Sequence, residues 1–304
     1  MIARVLFFLF AFSVLQGCAE DEVLTVPHRV IAIGDIHADL GAARAAFQLA
    51  GAANDKDEWI GEDLTVVQLG DIIGRSYEDR EVVEYILGMQ EKAAAAGGRV
   101  YVLLGNHEVF GARLRVDYVP DEAYLAFEDI PGLDVEDPRL DHLPTDHRAR
   151  GAAFISGGHY AVKFSEFPAV LRLGSTIYVH GGVTPHWAEY GIDLINEEFS
   201  QWFSGAIDEP ASAIGVDTGS PDDIVVMSRH FSDDVSDQDC SMLEESLEIL
   251  GAARMIVAHS VQNSITARCE GKVWAVDTGM SRFYGGRVQV LEIIDDEEIS
   301  IVGN

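Results

Sequence analysis

Five short apolar runs in this chain each end in a side chain able to bind a metal ion, and that repetition limits the folds open to it. Thr65-Val-Val-Gln-Leu-Gly runs into Asp71, and Val30-Ile-Ala-Ile-Gly runs into Asp35, with His37 two residues on. Val100-Tyr-Val-Leu-Leu-Gly leads to Asn106-His107-Glu108, Thr176-Ile-Tyr-Val to His180, and Met255-Ile-Val-Ala to His259. Runs this rich in β-branched and apolar residues read as buried strands. Helical patterns between the first three imply parallel pairing with crossover helices, and such sheets place ligands at the carboxyl ends of their strands. One strand ending in aspartate or histidine is commonplace. Five such ends gathered at one rim point to metal.

With 304 residues and 48% hydrophobic content the chain can bury a full core, as one large α/β domain or two smaller ones. Its 51 acidic residues outnumber 21 basic ones, a net charge of −30. Such a surface repels nucleic-acid phosphate and anionic lipid headgroups, which argues against a nonspecific DNA or RNA binder. The N-terminus carries Arg4 and then an apolar run, Val5 to Leu15, too short to span a bilayer and of the length of a signal-peptide core. It ends in Leu15-Gln-Gly-Cys18, which resembles the lipobox of bacterial lipoproteins. Residues 1–17 are therefore expected to be a signal peptide, and Cys18 the lipidated first residue of an exported cell-envelope or periplasmic protein. Its membrane contact would run through that anchor alone. Cys240 and Cys269 show no Cys-x-x-Cys spacing, so a zinc ribbon is excluded. Nothing in the sequence places them within disulfide reach, and the expectation is two buried thiols.

Residues 18–27 read as a linker and 28–304 as the catalytic domain. Ala38 to Ala53 and Asp79 to Ala96 have helical patterns, the second closed by Gly97-Gly98. The stretch from 111 to 166 breaks the strand–helix rhythm with four prolines and two acidic clusters. It reads as an insertion over the rim, with short helices near Asp121–Phe127 and Ala152–Phe164. Val170 to His180 reads as a hairpin turning at Gly174-Ser175. Helices are expected near Trp187–Phe203 and Ser241–Leu250, with a loop to Asp223 between them. The last strands fall at Lys272–Asp277, Val288–Ile294 and Ser300–Val302.

The blocks Gly34-Asp-Ile-His-Ala-Asp39, Gly70-Asp-Ile-Ile-Gly-Arg75, Gly105-Asn-His-Glu108, His180-Gly-Gly182 and Ala258-His-Ser260 resemble the signature series of calcineurin-like metallophosphoesterases. Within that group their order resembles the phosphoprotein phosphatase superfamily. Arg254-Met-Ile-Val-Ala-His259-Ser-Val-Gln262 and Val276-Asp-Thr-Gly-Met-Ser281 are most similar to its Shewanella-like branch. The resemblance covers about residues 28 to 290 and implies a four-layer α/β/β/α sandwich of two mixed β-sheets flanked by helices.

It also implies two divalent ions, sharing the carboxylate of Asp71. Asp35 and His37 would complete one site, and Asn106, His180 and His259 the other. Side chains two apart in an extended segment point the same way, which suits Asp35 and His37 to one ion. Mixed oxygen and nitrogen donors favour manganese, iron or zinc over calcium. A hydroxide between the ions would attack phosphorus in line, His107 would protonate the leaving oxygen, and Arg75 and Arg229 would hold the phosphate. A forked guanidinium matches phosphate oxygens. The expected function is phosphomonoester hydrolysis, on phosphorylated protein or a small ester. A phosphodiesterase, a dinucleoside-polyphosphate hydrolase or a metal-binding pseudoenzyme are the alternatives.

One departure bears on substrate. The superfamily has Asp-Arg-Gly where this chain has Gly74-Arg75-Ser76, and that aspartate orients the histidine matching His107. Glu108 and Asp79 are the carboxylates near enough in sequence to replace it. A poorly oriented acid loses less on phenols, whose pKa is about 10, than on more basic aliphatic alcohols. The expectation is a preference for phosphotyrosine, and a gain in phosphoserine turnover on Gly74→Asp.

Overall fold

The computed structural model describes residues 26–208 and 224–303. The expected signal peptide, Cys18 with most of the linker, and the end of the loop leading to Asp223 lie outside these residues. In the first of two sheets, β1 (Arg29–Ile33), β2 (Thr65–Gln68) and β3 (Arg99–Val102) run parallel. Strands β9 (Val290–Ile294) and β10 (Glu298–Val302) extend it antiparallel, in the order β10-β9-β1-β2-β3. The second sheet has the order β4-β5-β6-β8-β7, built from β4 (Val170–Leu173), β5 (Thr176–Val179), β6 (Arg254–Val257), β7 (Thr266–Arg268) and β8 (Val273–Ala275). Its inner strands β5, β6 and β8 are parallel, and β4 and β7 are antiparallel edges.

Strand periodicity builds the layers. Val30 and Ala32 of β1 and Val67 of β2 pack with Tyr178 of β5 and Ile256 of β6, filling the space between the sheets. Ile31 and Ile33 take the opposite face and join Ala43, Ala46 and Phe47 of α1 (Leu40–Leu49) and Val82, Val83 and Ile86 of α2 (Asp79–Ala96). In the second sheet Ile177, Val179, Met255 and Val257 belong to the outer cluster. They join Trp187 of α6 (Pro185–Tyr190), Phe199 of α7 (Ile192–Phe203) and Leu247 of α8 (Asp237–Leu250). This is the expected helix–sheet–sheet–helix sandwich.

Differences from the sequence reading lie mostly at element ends. The helix expected over Ala38–Ala53 is only α1, because Asp39 accepts the Ala42 N–H as its N-cap. The run Trp187–Phe203 divides into α6 and α7 at Gly191, whose φ of 100° no helix accommodates. Ala152–Phe164 likewise divides into α4 (Arg148–Phe154) and α5 (His159–Phe164), and Asp121–Phe127 forms two 3-10 turns. Hydrophobic spacing continues across such breaks, so it does not announce them. Helix α8 starts at Asp237, ahead of the expected Ser241, because Ser236 and Asp239 form a capping box. Strand β7 is polar and half exposed, and carried no signal.

The cysteine expectation is overturned. Cys240 and Cys269 form a disulfide with S–S 2.03 Å and Cα–Cα 5.3 Å, tying the first turn of α8 to the turn after β7. Their separation of 29 residues gave no local cue. Folding packs the two elements side by side.

Candidate metal centre

All five strand ends that carry candidate ligands reach one rim. Asp35 and His37 follow β1, Asp71 follows β2, and Asn106 opens α3 (Asn106–Ala112) just beyond β3. His180 follows β5 and His259 follows β6, and all six side chains are buried. Backbone hydrogen bonds bind these ends together: the His37 N–H donates to the Asp71 carbonyl at 2.9 Å, and the Ala258 N–H to the His180 carbonyl at 2.8 Å. His37, Asp71 and His259 adopt left-handed φ of 49°, 53° and 67°. Such strain in non-glycine residues persists only where the surroundings over-determine it, and it clusters at functional sites.

Donor geometry fits metal. From His180 Nε2, Asn106 Oδ1 lies at 3.1 Å, His259 Nδ1 at 3.2 Å and Asp71 Oδ1 at 3.4 Å. Metal bonds of about 2.0–2.2 Å place neighbouring ligand atoms roughly 3.0–3.5 Å apart. His180 Nδ1 donates to the Leu69 carbonyl at 2.7 Å, which leaves Nε2 as the nitrogen aimed into the group and the one that would bind an ion. On the other side of Asp71, His37 Nε2 is 3.6 Å from Asp35 Oδ2 and 3.8 Å from Asp71 Oδ2. Asp35 Oδ2 is buried and has no hydrogen-bond partner. Asp71 thus offers one oxygen to each group of donors. His107 Nε2 stands 4.0 Å from Asp71 Oδ2, in the same close group as His37.

The electrostatics carry the same message. Burial opposes ionisation of Asp71, but the imidazoles of His180 and His107 outweigh it and hold the carboxyl well below its usual range. Burial and the neighbouring Asp277 push Asp35 well above its own. Burial would lower His180, yet Asp71 and Asp35 raise it to about 9, while burial takes His107 down to about 3. Packed carboxylates here demand positive charge, which divalent cations would supply.

Arg75 and Arg229 flank this centre. Arg75 stacks on the Tyr118 ring at 4.4 Å, and its buried Nε has no partner. Arg229 donates to Ser260 Oγ at 2.9 Å and to the His259 carbonyl at 3.4 Å. Neither carboxylate considered as a substitute partner for His107 plays that part. Asp79 accepts the Gly74 N–H at 2.6 Å with one oxygen and Arg150 Nε at 2.6 Å with the other, both side chains being buried. Glu108 accepts four backbone N–H groups: Gly105 at 2.7 Å, Asp71 at 2.8 Å, Ile72 at 3.0 Å and Ile73 at 3.4 Å.

Glu108 is the positioning residue that sequence reading did not place. Its one available signal was the Gly105-x-x-Glu108 spacing, in which a glutamate at the third helical position reaches back to the N-cap N–H. Burial and Asp71 raise its carboxyl to about 7, against the pull of the backbone donors. An amide in its place has one acceptor oxygen, and its NH2 would confront N–H groups. Glu108→Gln should therefore cost about 2–4 kcal/mol of stability by denaturant unfolding, and a change under about 0.5 kcal/mol would refute the clamp.

Comparison with known proteins agrees with this geometry. Residues 28–263 match the family described as calcineurin-like phosphoesterase, and the chain belongs to that family of metal-dependent phosphoesterases. It is 31% identical to Shewanella-like protein phosphatase 2 of Arabidopsis thaliana over 93% of this chain and 81% of that one. To Shewanella-like protein phosphatase 1 of Plasmodium berghei it is 26% identical, covering 90% and 74% of the two chains. Its fold matches a cold-active protein-tyrosine phosphatase of a psychrophilic Shewanella with a TM-score of 0.68 at 18% identity, over 90% of this chain and 80% of the other.

Proposed function

We propose that this phosphoesterase is a dinuclear phosphomonoesterase acting on protein phosphotyrosine or small aryl phosphates. The observation that carries the reading is Asp71, whose two oxygens are divided between two donor groups. Asp35, His37 and Asp71 would hold one ion, and Asp71, Asn106, His180 and His259 the other, with manganese, iron or zinc suited to the donors. Bound there, the ions would supply an activated water and neutralise the phosphoryl oxygens. Arg75 and Arg229 orient the phosphate between them, and His107, held low by burial in the free protein, would deliver a proton to the leaving oxygen once the phosphate's negative charge beside it restores its protonation. The names of the relatives, protein phosphatases, support a phosphoprotein substrate.

The aryl preference rests on His107. Both nearby carboxylates are committed elsewhere, so its acid catalysis lacks the orienting partner that a basic alkoxide leaving group needs most. The test is turnover of p-nitrophenyl phosphate and bis-p-nitrophenyl phosphate with and without manganese, beside matched phosphotyrosine and phosphoserine peptides. Faster diester cleavage would indicate a phosphodiesterase, and no turnover with metal bound would indicate a pseudoenzyme. Equal rates on the two peptides would remove the aryl preference. Export and acylation at Cys18 belong to the same proposal, from the apolar run ending in Leu-Gln-Gly-Cys. An intact mass retaining residues 1–17 without acyl groups would refute that part.

A further inference from the structure

Three aromatic rings, Tyr118, Phe283 and Tyr284, lie around the Arg75 guanidinium, and Phe110, itself covered by Arg115 at 4.4 Å, backs the first of them. Phe110 and Tyr118 stack with ring centroids 5.3 Å apart and planes 17° from parallel. Phe283 and Tyr284 meet edge to face at 4.8 Å. Arg75 Cζ lies 4.4 Å from the Tyr118 ring, 5.3 Å from Phe283 and 6.0 Å from Tyr284. The same rings border the metal-centre histidines: Tyr118 and Phe110 are 5.4 and 5.6 Å from His107, and Tyr284 is 5.4 Å from His37.

The second pair is exposed and yet held in place. Phe283 is 53% exposed and Tyr284 39%, both at the mouth of the centre. Their loop is pinned by Arg282, which donates to Asp39 and Glu78, and by the Gly286 N–H on the Gly279 carbonyl at 2.8 Å. Holding the Arg75 cation needs one aromatic face, and Tyr118 already supplies the nearest. A second pair that remains half open to water is better explained by a ligand that covers it. Rings over a guanidinium occupy its faces and leave its N–H edge for phosphate oxygens. A phosphate held on that edge would place its leaving group beside these rings and His107.

We propose that Phe110, Tyr118, Phe283 and Tyr284 form a recognition cleft for the aromatic ring of the leaving group, the side chain of phosphotyrosine being the substrate class. This rests on the monoesterase reading above and names the side chains that would select for it. Phe283 is the residue to vary, since its exposure spares the fold.

The experiment uses the full chain loaded with manganese and compares each variant with wild type on phenyl phosphate and on hexyl phosphate. The ratio within one substrate cancels the difference in leaving-group reactivity. Phe283→Ala should lower kcat/KM on phenyl phosphate about three- to tenfold, the worth of one aromatic pairing, and on hexyl phosphate by less than about twofold. Phe283→Tyr should restore the phenyl value, and Phe283→Leu should not. Equal losses on both esters would mean that Phe283 only steadies Arg75, and no loss on either would mean that the cleft is idle. Either result overturns the proposal. Calorimetric binding of benzylphosphonate against heptylphosphonate decides the cleft without turnover. If wild type cleaves neither ester, the monoesterase reading fails. The cleft then stands only if Phe283→Ala weakens the benzyl ligand selectively, and falls otherwise.

Discussion

Asp71→Asn should lower turnover by about a thousandfold, the rate equivalent of the several kcal/mol that metal ions contribute to phosphoryl transfer. Asp71 Oδ1 accepts the His107 N–H at 2.8 Å and faces His180, while Oδ2 faces His37 and His107. An asparagine has one acceptor oxygen. Turned one way, its NH2 confronts the His107 N–H; turned the other way, it presents a donor to the His37 side. In either orientation one donor group loses its anion. Metal analysis should show fewer than two ions per chain, and the rise in melting temperature on adding manganese should shrink. Full turnover in the variant, or in wild type stripped by a chelator, would refute the shared-carboxylate arrangement.

Gly74→Asp should inactivate and destabilise the protein, the reverse of the gain expected from sequence. A Cβ at this position would lie 2.3 Å from His107 Nδ1, and the residue has φ +77°. Restoring the missing aspartate would therefore drive the imidazole from its seat rather than hydrogen-bond it. Left-handed backbone costs an ordinary residue about 1–2 kcal/mol, and overpacking a buried site adds about 1–3 kcal/mol. Turnover on phosphoserine and phosphotyrosine should fall together, by about tenfold or more. A variant that melts like wild type and gains on phosphoserine would show that the turn can move aside.

What could be read in advance was local. Asp35, His37, Asp71, Asn106, His180 and His259 each sit at the end of an apolar run, so a strand and a candidate ligand could be inferred from one short window. The parallel order of β1, β2 and β3 followed from the helical patterns between them. What escaped depended on partners distant in the chain. Arg150 is 71 residues from the Asp79 that it neutralises, and Glu108 is more than 30 residues from three of its four backbone donors. The Cys240–Cys269 bond is of the same kind. Gly74 was legible as a missing carboxylate, but the sequence could not show that the His107 imidazole occupies the space a side chain there would need.

The buried pair of Asp79 and Arg150 has a bearing on how this enzyme could be trimmed. The segment from Pro120 to β4, beyond Tyr118, resembles an accessory that an engineer might excise to obtain a minimal catalyst. Yet α4, which lies within it, supplies the only cation that the structure gives Asp79 among the described residues. Excision would leave the buried Asp79 carboxylate without its ion-pair partner beneath the turn that carries Arg75, at a cost of about 3–5 kcal/mol. A shortened chain would therefore need Asp79 replaced by an uncharged side chain that still accepts the Gly74 N–H, with asparagine the first choice. Arg150 makes the segment a part of the catalyst's foundation, even though no residue of α4 is a candidate to touch substrate.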